Sequence, residues 1–331
     1  MTRLRRVSPA SPGWTRQRSG RGFRYLDAAG APLGPDEVER IKALVIPPAW
    51  REVWICPYPN GHLQATGIDV AGRRQYLYHP VWRQRRDELK FQRVATAAHR
   101  LPAARRRIAA DLALPDVPLE RAAATAARLL DLGAFRIGND SYADTNGSFG
   151  LSTLERRHLR RSGDMLTFRF NGKSGIEHFV TIEDPDAVLA IEAMRARRGS
   201  ARLFSYRGAA GWSDLSAGHV NAYLAELFGG DFTAKDFRTW HATVLAARCL
   251  AVTGPVATAT ARKRAVRAAV VEVAGYLGNT PTIARSSYVD PRVIDLYESG
   301  TTLADALGRT GPRRASQTAL ERALLTILAD S

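Results

Sequence analysis

The stretch Thr167-Phe168-Arg169-Phe170-Asn171-Gly172-Lys173-Ser174-Gly175-Ile176 decides the fold. Apolar side chains run into an Asn-Gly dipeptide and resume over residues 176–182, the pattern of a β-hairpin with Gly172-Lys173 at its tip. Alanine-rich sequence with helical spacing lies on both sides. Segments 82–100, 101–112 and 118–132 precede the hairpin, and 185–197, 216–229, 236–253, 261–276 and 291–299 follow it. A last amphipathic helix over 316–329 places Ala319, Leu320, Ala323, Leu324 and Ile327 on one side. A hairpin set among so many helices predicts an α+β chain whose larger part is helical.

Residues 23–90 read as a separate, smaller α+β unit. Gly34-Pro35-Asp36 opens a short helix with Val38, Ile41, Leu44 and Val45 apolar, and Pro47 and Pro48 end it. Strands are predicted over 54–56, 62–70 and 75–78, separated by Pro59-Asn60-Gly61 and by Ala71-Gly72. The boundary is expected near residue 90. This gives a small N-terminal domain with an antiparallel sheet over 23–90 and a mainly α-helical domain over 91–331. Ahead of both, residues 1–26 hold seven arginines and no acid. They lack the apolar core of a secretory signal, and Pro9, Pro12 and Gly13 interrupt any amphipathic transit helix. Residues 1–22 are therefore expected to form a flexible basic arm.

Arginine and lysine number 48 against 32 acidic residues, a net charge of +16. A chain this basic points to a polyanionic partner, nucleic acid first, or else to an arginine-rich composition with no partner behind it. No apolar run reaches the roughly 18 residues of a membrane span, so no membrane partner is expected. Cys56 and Cys249 stand alone, outside any Cys-x-x-Cys. That excludes a disulfide scaffold and a cysteine-rich zinc module, and it suits a reducing, cytoplasmic compartment. Gly172-Lys173-Ser174 ends like a phosphate-binding loop, but Thr167 stands where the loop's first glycine belongs, so ATP is not expected there. The seven histidines show no metal-ligand spacing, and no Gly-x-Ser-x-Gly elbow occurs. No cofactor is expected.

Four stretches carry the chemistry. They are Phe135-Arg136-Ile137-Gly138-Asn139-Asp140-Ser141-Tyr142, the hairpin tip Asn171-Gly172-Lys173-Ser174-Gly175, Lys235-Asp236-Phe237-Arg238-Thr239-Trp240-His241, and Leu277-Gly278-Asn279-Thr280 with Ser286-Ser287-Tyr288-Val289-Asp290-Pro291. In this order of Arg, Lys, Arg, Asn and Tyr the chain resembles the type IB DNA topoisomerases, in their small poxvirus-like and bacterial branch. The resemblance covers nearly the whole chain. It includes Gly22-Phe23-Arg24-Tyr25-Leu26-Asp27, Ile46-Pro47-Pro48-Ala49-Trp50, Gly61-His62-Leu63-Gln64-Ala65-Thr66-Gly67 and Gly72-Arg73-Arg74-Gln75-Tyr76-Leu77-Tyr78. Asn279, nine residues before Tyr288, departs from the viral and nuclear members, which carry histidine there; the bacterial members carry asparagine.

The resemblance implies a monomeric, nucleoid-associated enzyme whose two domains close around double-stranded DNA as a clamp. It implies relaxation of positive and negative supercoils through a 3′-phosphotyrosyl intermediate, without ATP or an obligatory metal. The implied catalytic residues are Arg136, Lys173, Arg238, Asn279 and Tyr288, and their types suit the reaction. A phenolate can store the phosphodiester bond as an ester. Two guanidiniums and a neutral donor can hold the nonbridging oxygens as charge builds on them. A lysine on a hairpin tip can deliver the proton that the leaving 5′-oxygen needs. Implied DNA contacts are Gln75, Tyr76, Tyr78, Tyr142 and Lys235. Arg262, Lys263, Arg264 and Arg267 either touch the DNA backbone or form a solvated face. Two other readings stand beside this one. A tyrosine recombinase shares the nucleophile chemistry but usually shows His-x-x-Arg where Lys235 precedes Arg238; a non-enzymatic DNA-packaging protein rests on charge alone.

Overall fold

The computed structural model describes residues 3–139, 143 and 147–329, and the chain divides into two compact units between Lys90 and Phe91. The first unit is built on a five-stranded antiparallel sheet of order β2-β1-β3-β4-β5. Its strands are β1 (Trp14–Ser19), β2 (Gly22–Leu26), β3 (Arg51–Ile55), β4 (Leu63–Ile68) and β5 (Arg74–Tyr78). Helix α1 (Pro35–Ala43) begins with proline, carries Asp36 and Glu37 in its first turn and Arg40 and Lys42 in its last, so its charges oppose the helix dipole. Its buried Ile41 joins Ile46, Val53, Ile55 and Ala65 in a small core, with Trp14, Tyr25, Leu33, Trp50 and Leu77 packed around it.

The expected free arm at 1–22 is not observed. Residues 14–19 form β1, paired to β2 from Thr15↔Leu26 to Ser19↔Gly22 and to β3 at Trp14↔Ile55. Arg5 bridges Gly61, with its amide donating to the Asn60 carbonyl (2.9 Å), and His62 N–H donates to the Arg5 carbonyl (2.9 Å). Arg16 spans to the carbonyls of Ile46, Pro47 and Trp50 (3.1, 2.9 and 2.8 Å) and lies over the Phe23 ring. Backbone pairing and arginine contacts anchor a segment with almost no apolar alternation.

The second unit is mainly helical. After α2 (Pro80–Ala98), which crosses the division, come α3 (Leu101–Leu112) and α4 (Leu119–Leu132). A three-stranded antiparallel sheet follows, β6 (Leu159–Ser162), β7 (Met165–Asn171) and β8 (Glu177–Glu183), in which β7 and β8 are the anticipated hairpin with Asn171 opposite Glu177. Then come α5 (Pro185–Arg195), the hairpin β9 (Ser205–Gly208) and β10 (Gly211–Asp214), α6 (Ala217–Phe228), α7 (Ala234–Thr253) and α8 (Ala259–Leu277). The chain closes with α9 (Pro281–Ser287), α10 (Pro291–Glu298), α11 (Leu303–Leu307), α12 (Gly311–Arg314) and α13 (Gln317–Ala329). One core runs through this unit, with α4 and α7 buried along most of their lengths. The small side chains Ala122, Ala123, Ala124, Ala126 and Ala127 of α4 let neighbouring elements approach closely. Among the described residues no helix is long and apolar enough to cross a membrane.

Candidate active site

Arg136 is placed by what precedes and follows it. The chain leaves α4 extended at Gly133, and Phe135 is buried edge-on to Phe168 (5.2 Å) and stacked on Phe170 (6.0 Å) of β7. Leu151 N–H donates to the Arg136 carbonyl (2.8 Å) and Ser152 N–H to that of Ile137 (2.7 Å). That approach needs glycine at 150, where a Cβ would lie 2.7 Å from the Arg136 oxygen and 2.4 Å from the Gly138 nitrogen.

Arg238 sits in the first turns of α7 and is buried. Asp236 fixes the start of this helix: its carboxylate accepts from Thr233 N–H (2.8 Å) and from both Nη atoms of Arg93 (2.9 and 2.8 Å). The Arg238 guanidinium donates to the carbonyls of Ala134 and of Leu277, the latter at 2.8 Å. It thereby links the approach to Arg136 with the end of α8. Gly278 caps α8 in the left-handed region (φ 60°), and Asn279 N–H returns to the Ala274 carbonyl (2.9 Å). Thr280 then caps α9, and Tyr288 ends that helix.

Arg136 Nη2 donates to Asn279 Oδ1 (2.6 Å), and the Arg238 Cζ lies 5.4 Å from the centre of the Tyr288 ring. Four of the five anticipated catalytic residues thus come together from three segments. Asn279 Nδ2 and Arg238 Nε are buried and have no hydrogen-bond partner among the described residues. Burial pushes the Tyr288 phenol up, but the charge and polar contact of Arg238, with the charges of Lys235 and Arg136, outweigh it and bring the phenol below its ordinary value. Burial, with the neighbouring Arg136, draws Arg238 down to about 10 against a partial offset from Tyr288, so it keeps its charge at neutral pH. Burial likewise lowers Arg136.

Lys173 stands exposed at the hairpin tip, with no hydrogen bond or ion pair to the other four among the described residues. Lys235 is exposed one turn before Arg238. In the first unit, Tyr76 and Tyr78 are exposed and stacked (6.1 Å) on one face of β5, which Arg74 shares. Gln75 alternates onto the opposite face with Leu77 and donates to Asp69 Oδ2 (2.9 Å). Tyr142 lies outside the described residues. On α8, Arg262 donates to the carbonyls of Val256 and Ala257, whereas Lys263, Arg264 and Arg267 are exposed. Among the described residues no group of three or more His, Cys, Asp and Glu is arranged to hold a metal ion.

Two contributors were missed from sequence. Thr243 of α7 donates to the Tyr288 carbonyl (3.1 Å) and accepts from Asp290 N–H (3.2 Å), pinning the backbone on both sides of Val289. A buried threonine inside a helix gives no sequence signal. His178 of β8 approaches Arg136, its Nε2 3.3 Å from Nη1. Only the three-dimensional pairing of β8 with β7 reveals it.

Residues 79–303 match the family of eukaryotic DNA topoisomerase I, catalytic core, and residues 22–69 match bacterial DNA topoisomerase IB, N-terminal domain. The chain is 29% identical over 296 residues to DNA topoisomerase 1B of Acanthamoeba polyphaga mimivirus, covering 87% of this chain and 88% of that one. It is 33% identical over 128 residues to DNA topoisomerase 1 of Daucus carota, which is 38% of this chain and 15% of the carrot protein. It is 28% identical over 130 residues to DNA topoisomerase 1 of Schizosaccharomyces pombe, 39% of this chain and 15% of that protein. The chain belongs to the type IB DNA topoisomerase family. Its N-terminal unit is of the bacterial kind.

Proposed function

We propose that Tyr288 is the nucleophile of this topoisomerase and that Arg136, Arg238, Asn279 and Lys173 serve its reaction. The enzyme relaxes positive and negative supercoils by transient cleavage and religation of one DNA strand. Tyr288 Oη bonds to phosphorus as the bond from phosphorus to the 5′-oxygen breaks, leaving a 3′-phosphotyrosyl link; the phenol proton goes to solvent and Lys173 protonates the 5′-oxygen. The free 5′-hydroxyl later attacks the same phosphorus and releases Tyr288. The bond energy is conserved, so no ATP is consumed.

The observation that carries this reading is the pair of unpartnered buried donors, Asn279 Nδ2 and Arg238 Nε, beside a phenol whose pKa cations have lowered. Buried donors are costly unless they meet an acceptor. A phosphoryl group carrying extra negative charge supplies acceptors, and each such donor is worth about 10²–10³-fold in rate. Lys173 on an exposed tip can reach a groove of duplex DNA, and the stacked Tyr76–Tyr78 face with Arg74 offers aromatic and charged contacts to it. The four assembled catalytic residues come from one chain, which supports a monomer acting on double-stranded DNA, and its place of action is then where that DNA lies, the nucleoid in the cytoplasm. The test is relaxation of supercoiled plasmid in EDTA without ATP. The wild type relaxes catalytically and leaves a covalent protein–DNA adduct on denaturing gels. Tyr288→Phe does neither while still binding DNA; relaxation by that variant overturns the assignment.

A further inference from the structure

We propose that His178 is a positioning residue that holds the Arg136 guanidinium toward the transferring phosphate. The proposal rests on the reading of Arg136 given above and adds to it a residue outside the five.

The ring of His178 is built into the junction of three catalytic segments. It stacks on Phe170 of β7 (5.3 Å, 16°). A Cβ at Gly172, beside Lys173, would come within 2.5 Å of it, and a Cβ at Gly278, beside Asn279, within 2.6 Å. Both positions must be glycine for the imidazole to fit. Its Nε2 lies 3.3 Å from Arg136 Nη1. A guanidinium can only donate, so Nε2 accepts and the ring is neutral, with its proton on Nδ1. Arg136 is therefore held from two sides: by His178 on β8, and by the Asn279 Oδ1 and the Gly278 carbonyl (2.6 and 3.3 Å) after α8.

The charged groups facing the ring favour this neutral form. Burial lowers its pKa first, and Arg136 from the segment after α4 and Arg238 from α7 lower it further. Glu177, its neighbour on the strand, points to the other face and pairs with Arg169 (2.7 Å). Protonating His178 removes the acceptor and sets a third cation beside two guanidiniums. Cleavage is thus expected to fall on acidification, with its acid limb below the ordinary histidine value.

The test is single-turnover adduct formation by the full chain on a duplex with one cleavage site, with near-UV circular dichroism to confirm folding. His178→Ala should be slower on the order of 10- to 100-fold, the effect of losing a hydrogen bond to a charged group, with DNA affinity unchanged. The defect should persist on a 5′-bridging phosphorothiolate, which needs no proton from Lys173. His178→Gln, whose amide oxygen reaches the same place, should recover most of the rate and lack the acid limb. Arg136→Ala/His178→Ala should be no slower than Arg136→Ala alone, because the two residues act through one contact. Wild-type cleavage by His178→Ala beside a crippled Arg136→Ala overturns the proposal, as do multiplying defects or rescue by the sulfur substrate. Normal cleavage by Arg136→Ala overturns the site reading itself, and the proposal with it.

Discussion

Arg136 Nη2 meets Asn279 Oδ1 at 2.6 Å, and this one contact sets which way the amide faces. Because the guanidinium has no acceptor, the oxygen must point to Arg136 and the nitrogen away from it. The unpartnered Nδ2 follows directly. Asn279 is oriented by the residue it works beside.

Substitutions at Asn279 should follow this geometry. Asn279→Ala removes one neutral donor and should slow cleavage by about 10²-fold, less than Arg136→Ala, which removes a charged one. Asn279→His keeps a donor and should retain activity. Asn279→Asp should be slower than Asn279→Ala, since a carboxylate both sequesters Arg136 and repels the phosphate oxygens. Single-turnover cleavage measures all three, and an Asp variant as fast as wild type would show that Nδ2 does not donate.

The lowered phenol of Tyr288 gives a pH dependence with a definite sign. A phenol below its ordinary value is deprotonated earlier as pH rises, so the alkaline limb of cleavage should lie below the reference pKa near 10. Burial opposes that state, and the cations Arg238, Lys235 and Arg136 support it. Lys235→Gln removes one exposed cation without touching the packed arginine and should move the limb to higher pH. An unmoved limb would take Lys235 out of the phenol's surroundings.

What is legible in the sequence has a period or a motif. The hairpin of β7 and β8 shows itself through Asn171-Gly172, and the long amphipathic helices through apolar spacing. β1 reads as an arm because Trp14-Thr15-Arg16-Gln17-Arg18-Ser19 has one large apolar residue, and its place is set by backbone pairing and by Arg16 reaching three carbonyls. β9 and β10 are four residues each, too short for a period to register. The five catalytic candidates stand out by order and local motif. Thr243 and His178 do not, because an interior threonine and a strand histidine look like packing until their partners are in view. Gln75 shows the converse: adjacency to Tyr76 suggests a shared role, and strand alternation sets it on the opposite face.

Lys173 carries the leaving-group proton, and the chemistry of sulfur separates that role from others. Lys173→Ala should cleave a normal phosphodiester slowly, by about 10²–10⁴-fold. On a 5′-bridging phosphorothiolate the departing thiolate needs no proton, and the defect should largely vanish. Arg238→Ala should stay slow on both substrates. Equal defects for Lys173→Ala on the two would remove the general acid from the hairpin tip.

The pairing of β1 into the sheet makes two truncations of the N-terminal segment behave differently. Removing residues 1–12 takes away Arg3, Arg5 and Arg6 but spares β1. It should flatten the slope of log K against log[salt] by roughly 0.9 for each phosphate that is no longer neutralised, with little change in the cleavage rate of bound DNA. Removing residues 1–19 also deletes β1, which lies between β2 and β3 in the sheet, and exposes the edge of β3. That truncation should lower the melting temperature of the first unit. Equal melting temperatures for the two proteins would mean that β1 adds nothing to the sheet.

Beneath α7 lies a buried ionic cluster whose disruption should be felt as stability. Arg105 of α3 bonds both oxygens of Asp131 on α4 (2.7 and 2.9 Å) and both oxygens of Glu321 on α13 (2.7 and 2.9 Å). His241 of α7, three residues after Arg238, lies 3.4 Å from Asp131, and Gln317 donates to Glu321 (3.0 Å). Burial pushes Asp131 up, but the hydrogen bonds from Arg105, with the nearby His241 ring, outweigh it and hold the carboxyl far below its ordinary range. A depressed carboxylate contributes stability above its unfolded pKa and loses it as pH falls toward the folded one. Arg105→Met leaves two almost fully buried carboxylates without their cation and should cost about 3–5 kcal/mol at neutral pH. Asp131, left buried without Arg105, then rises above its unfolded value, so the sign reverses: the deficit should be largest at neutral pH and shrink on acidification to about pH 5, as the buried carboxyl takes up a proton. Replacing all three charges with apolar residues, Arg105→Met with Asp131→Leu and Glu321→Leu, should recover most of the loss. Urea unfolding at the two pH values measures each step. A deficit that is the same at both would mean that Arg105 stabilises the helices through its aliphatic packing and not through its charge.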